Sequence, residues 1–102
     1  MESSYEKDAR VFKALCDPHR LAILERLRSG EKCVCMLQED MDVGQSGLSY
    51  HMKILCDSGI VKSRQEGKWT YYRLSETGRE SAISLLRRLT TQNAAQTGDC
   101  CK

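Results

Sequence analysis

Apolar positions recur three to four residues apart over most of this chain, the period of helices packed on one side. Tyr5 to Leu15 carries Val11, Phe12 and Leu15 on one face and predicts a first helix. Asp17-Pro18 ends it and opens a second. Asp suits an N-cap, and Pro suits the first turn, where its missing N–H is not needed. Leu21, Leu24 and Leu27 are the expected apolar stripe of this second helix, which Ser29-Gly30 closes. Cys33 to Met41 reads as a short third helix and Asp42-Val43-Gly44 as a tight turn. Gln45 to Ser58 reads as a fourth helix, with Leu48, Met52 and Leu55 on its inner face and Gly59 at its end.

The pattern then changes. Ile60 to Gln65 and Lys68 to Leu74 read as two strands, joined by a two-residue turn at Glu66-Gly67 where Gly supplies a positive φ. Ser75 caps a last helix, in which Ala82, Ile83, Leu85, Leu86 and Leu89 form a wide apolar stripe. Helix, short turn, helix and hairpin make a winged helix-turn-helix. The fold class is therefore mainly α with a small β-hairpin (α+β). The last stripe exceeds what a core of this size hides, so one side of it is expected to face a partner subunit. Residues 1–90 are read as one DNA-binding and dimerisation domain, and 91–102 as a flexible tail ending in Cys100-Cys101-Lys102.

Composition narrows the class. The 102 residues suit one domain, without repeats or low-complexity segments. The first residues lack an apolar stretch, and no run approaches the ~18 apolar residues of a membrane span. A soluble cytoplasmic protein is expected, with no membrane partner. Six cysteines then point to metal or redox chemistry rather than disulfides. Net charge is only +2. Between Gly44 and Leu74, however, Lys53, Lys62, Arg64, Lys68 and Arg73 outnumber Asp57 and Glu66, which provides for a phosphate-facing surface.

On the fourth helix the face away from Leu48 carries Gln45, Ser46, Ser49, Tyr50 and Lys53, hydrogen-bonding groups concentrated at the helix start. A recognition helix presents that end to base edges in the major groove. Gln can pair bidentately with adenine, and Ser can serve either base type. Polarity alone describes any solvated helix face. The preceding turn and following wing turn it into an expected contact with double-stranded DNA. Arg64 and Lys68 are placed in the wing as phosphate contacts, with Lys62 beside them. His51 reads as a packing histidine with one satisfied nitrogen, and Trp69, Tyr71 and Tyr72 as packing aromatics of the wing, because duplex readers rarely need stacking platforms.

Cys33-Val34-Cys35 stands immediately ahead of the reader. Two thiols at this spacing are either half-buried small residues or the start of a site for a soft ion that prefers sulfur. On an ideal helix they point about 200° apart. They can share one atom only at a frayed first turn.

The stretches Ala14-Leu15-Cys16-Asp17-Pro18-His19-Arg20-Leu21-Ala22-Ile23-Leu24, Cys33-Val34-Cys35, Gln45-Ser46-Gly47-Leu48-Ser49-Tyr50-His51-Met52 and Gly67-Lys68-Trp69-Thr70-Tyr71-Tyr72-Arg73-Leu74 resemble the arsenic-responsive repressor (ArsR) family of winged-helix metalloregulators. The likeness runs from about residue 8 to 89. It implies a homodimer held by the first and last helices, bound to an imperfect palindromic operator and released by an inducer. It further implies As(III) or Sb(III) as the inducer, held by thiolates in a Cys-Val-Cys-x-x-Cys pattern, with no cofactor for DNA binding itself. In this chain the third position is Gln38. Cys16, Cys100 and Cys101 are the candidates to complete a set with Cys33 and Cys35, and Cys56 is given no ligand role. The last helix holds no His, so the zinc and nickel designs of the family are not expected. A cadmium/lead sensor and a thiol-redox or persulfide switch are the alternatives. Catalysis is not expected: Cys-x-x-Cys spacing, a phosphate loop and paired carboxylates are all missing.

Overall fold

The computed structural model describes residues 3–41 and 43–93, apart from the side chains of Asp40 and Gln45. Five helices and three strands follow in the order α1 (Ser4–Ala14), α2 (Pro18–Leu27), β1 (Lys32–Cys33), α3 (Val34–Asp40), α4 (Gln45–Asp57), β2 (Val61–Glu66), β3 (Trp69–Leu74) and α5 (Glu76–Thr90).

Local chemistry sets the helix starts. The Ser3 hydroxyl accepts from the Glu6 N–H at 3.1 Å, while the Glu6 carboxylate accepts from the Ser3 N–H at 2.8 Å, a capping box. The Asp17 carboxylate accepts from the His19 N–H at 2.8 Å with Pro18 in the first turn, as expected for α2. Ser75 accepts from the Gly78 N–H at 3.0 Å and so caps α5.

The core is built from Ala14, Ile23, Leu27, Leu37, Leu48, Met52, Leu55 and Val61. The inner face of α4 is as expected. That of α2 is not: Ile23 and Leu27 are buried, whereas Leu21 is 50% exposed and Leu24 only partly covered. The stripe is turned by Arg20, 5% exposed, which α2 buries in place of Leu21. Its Nε donates to the Ala14 carbonyl at 3.3 Å and Nη2 to the Lys13 carbonyl at 2.8 Å. The guanidinium thus meets the negative end of α1 rather than a carboxylate.

The hairpin is part of a three-stranded antiparallel sheet in the order β1-β3-β2. Lys32 pairs with Tyr72 and Cys33 with Tyr71. The expected third helix therefore begins one residue late, because Cys33 belongs to the sheet. Glu66 pairs with Trp69, so the turn is Gly67-Lys68 rather than Glu66-Gly67, with a positive φ only at Gly67. Leu85 is the one described residue of α5 that is buried; Ile83, Leu86 and Leu89 stay 42–52% exposed.

Candidate DNA interface and thiolate site

α3 and α4 are the two helices of the helix-turn-helix. Burial of Leu48, Met52 and Leu55 fixes the rotation of α4. Ser46, Ser49, Tyr50 and Lys53 then face solvent, Tyr50 at 57% exposure, and Lys53 holds Asp57 at 3.3 Å one turn on. The backbone of Gln45 begins α4; its side chain lies outside the described set. In the wing, Lys68 is exposed at the turn with its ammonium 5.7 Å from the centre of the Trp69 ring. Arg64 is engaged on every side. Its Nε and Nη2 donate to the two Glu31 carboxylate oxygens at 2.9 and 2.8 Å, its Nη1 donates to Glu66 at 2.8 Å, and its plane lies 4.6 Å from the Tyr71 ring centre. The two carboxylates push the Arg64 guanidinium pKa above its ordinary range, and Arg64 in turn holds the Glu31 carboxyl below its own.

Cys33 and Cys35 are not two positions on one helix. Cys33 is the N-cap of α3, in extended conformation with φ −85° and ψ 165°, and Cys35 sits in the first turn. That junction removes the angular separation an unbroken helix would impose, and the two thiols act on each other's ionisation. The Cys35 thiol, donating toward Cys33, holds the Cys33 pKa below the ordinary thiol value; the N–H groups of Met36 and Cys35 add to this and burial opposes it. The same contact pushes the Cys35 thiol up. Cys33 is 7% exposed and Cys35 is open to solvent. Cys35 lines a cavity of about 410 Å³ together with Val34, Gln38, Ser49, Lys68 and Trp69. A thiol, an α4 hydroxyl and a wing cation therefore share one hollow.

The other cysteines lie elsewhere. Cys16 ends the α1 region, its Sγ 3.3 Å from the Lys13 carbonyl and 3.9 Å from Nη2 of Arg20. Cys56 is half-buried, and burial raises its thiol. Cys100 and Cys101 lie outside the described residues. Among the described residues no third Cys, His, Asp or Glu joins Cys33 and Cys35 in a ligand cluster.

The cluster that does form is Asp17, His19 and His51, with ligand atoms within 4.8 Å of one another. Nη1 of Arg20 lies 3.0 Å from Nδ1 of His51. Arginine can only donate, so Nδ1 accepts and the ring proton sits on Nε2. Both ring nitrogens are then unfit for a cation, and one would also meet the guanidinium. Burial holds the His51 pKa below its ordinary value. This group is packing that ties α2 to the reader helix. Sequence reasoning missed Arg20 and Glu31; an Arg within an apolar helical stripe and a Glu two residues before a cysteine carry no periodic signal.

Residues 17–63 match the family model described as bacterial regulatory protein, arsR family. The chain is 40% identical to the arsenical resistance operon repressor of Bacillus subtilis, over 93% of this chain and 90% of that one. It is 35% identical to the arsenical resistance operon repressor of Staphylococcus aureus, over 95% and 99% of the two chains. The structure of HlyU from Vibrio cholerae superposes with a TM-score of 0.66 at 36% identity, covering 90% of this chain and all of that one.

Proposed function

Because the chain belongs to the arsR family of bacterial regulatory proteins, whose members are DNA-binding regulators and not enzymes, we propose that it represses transcription as a homodimer on operator DNA and is released by trivalent arsenic or antimony on cysteine thiolates. Gln45, Ser46, Ser49 and Tyr50 meet base edges. Lys53, Lys62 and Lys68 meet phosphates. The work is done in the cytoplasm, where thiols stay reduced; among the described residues no helix is long and apolar enough to cross a membrane.

The observation that supports the reading is the placing of Cys33 and Cys35 at the strand–helix junction, with Cys35 in the hollow that Ser49 and Lys68 also line. Cys33 and Cys35 supply two of the sulfurs. Each thiol that joins arsenous acid forms one As–S bond, and its proton leaves with a hydroxide as water. Three such exchanges complete a pyramidal site, and Cys100 or Cys101 of either protomer supplies the third sulfur, with Cys16 next in line.

Operator release by arsenite, followed alongside arsenic X-ray absorption, tests this in Cys33→Ser, Cys35→Ser and a form lacking residues 99–102. Either serine variant should keep repression, lose a sulfur neighbour and become blind to arsenite. Normal response in both sinks the site. Normal response in the truncated form moves the third ligand to Cys16. Release by oxidant alone, reversed by dithiothreitol, assigns the pair to a redox switch instead.

A further inference from the structure

Arg64 was expected at a phosphate, and its surroundings argue against that. Two carboxylates lie within 3 Å of one guanidinium, so its donors are engaged and its charge is answered before any phosphate arrives. What Arg64 does hold is the segment in front of the thiols. Glu31 precedes Cys33 by two residues and is gripped through both its oxygens, the bidentate form in which an ion pair also fixes orientation. The same guanidinium covers Tyr71, and Tyr71 is the residue of β3 that pairs with Cys33. Within the wing, Arg64 and Tyr71 are themselves cross-strand partners. The segment Glu31–Cys33 is thus fastened to the wing twice, by a two-residue strand ladder and by a charged fork. A strand that short is marginal alone, which gives the fork its importance.

We propose that Arg64 and Glu31 are positioning residues that tie the thiolate segment to the wing, so that ligand capture by Cys33 and Cys35 is felt at the wing as well as along the reader helix. The proposal rests on the reading of those two cysteines as the inducer site. Arg64 contributes to repression by holding the wing in place and not by touching DNA.

Trp69, the single tryptophan of the chain, sits on β3 and reports on the wing. The experiment uses the full chain with arsenite as the probe, in wild type, Glu31→Gln and Arg64→Lys. Three quantities are read: ultraviolet absorption of the As–S bonds, Trp69 emission, and operator affinity with and without arsenite. Wild type should take up arsenite and change its Trp69 emission. Both variants should take up arsenite as tightly, lose most of the emission change, and show an arsenite-dependent fall in operator affinity smaller by at least about fivefold. The proposal is overturned if bound arsenite leaves wild-type Trp69 unchanged, or if both variants keep the full response. It is also overturned if Glu31→Gln tightens operator binding and steepens its salt dependence while Arg64→Lys leaves that dependence unchanged, the behaviour of a phosphate ligand. A wild-type protein that shows no As–S absorption, or one that keeps it in Cys33→Ser, instead fails the inducer site on which the fork depends.

Discussion

At the scale of single residues, the contact between Arg20 and His51 sets a protonation state. Nδ1 accepts from a group that can only donate, so a doubly protonated His51 loses this bond and places a second cation against the first. Burial already lowers its pKa from the ordinary 6.5. The unfolded chain therefore binds more protons than the folded one just below that value, and stability rises with pH there. The contribution is complete above pH 6.5 and is lost as pH falls through the lower folded value. In His51→Asn the amide oxygen can take the place of Nδ1 without titrating. Urea midpoints at about pH 7.5 and about pH 5 should differ less in this variant than in wild type; an unchanged difference would remove His51 from the account. The reader face makes its own prediction. Ser49→Ala and Tyr50→Ala should narrow the gap between operator and random DNA while leaving the fold intact. Lys68→Ala should weaken both and reduce the salt slope by about one unit. Retained specificity in the first pair would displace the reader helix.

At the scale of elements, α5 is rooted against the end of α4. The Ser75 N–H donates to the Ile60 carbonyl at 2.8 Å, and a Cβ on Gly78 would run into the Gly59 carbonyl. Gly78→Ala must push the two helices apart, and a loss of about 1–3 kcal/mol is expected from such overpacking. Gly44→Ala is the control: its φ is −66° and no atom lies within 4 Å of the added carbon. Equal urea midpoints for the two variants would refute the close approach. The elements most legible in the sequence were those with a long apolar period, α4 above all, and those opened by a capping side chain, α2 and α5. β1 was hidden because two residues cannot display an alternation. Its pairing with β3 is a contact across about forty residues of chain, and it is what turns Cys33 off the helix. For that reason the geometry of the thiol pair was illegible in the sequence. The inner face of α2 was misread at Leu21, because burying Arg20 depends on the carbonyl end of α1, which no local pattern reveals.

At the scale of the molecule, Ile83, Leu86 and Leu89 of α5 and Tyr5 of α1, the last 78% exposed, leave an apolar surface open on one chain. An ion pair between Asp8 and Arg88 at 3.0 Å links these two helices. Leu86→Glu should shift the mass in light scattering from dimer toward monomer at micromolar concentration and weaken operator binding with it, since a single half-site engages fewer phosphates. A Leu86→Glu protein that stays dimeric would place the contact elsewhere. The rooting of α5 on α4 then acquires a geometric meaning. In a dimer joined through α5, each reader helix hangs from the shared spine by the Gly59–Gly78 contact, much as the jaws of a caliper hang from its beam. In such a dimer the centre-to-centre separation of the two jaws would follow from that pivot, and with it the number of base pairs between half-sites that one dimer could span.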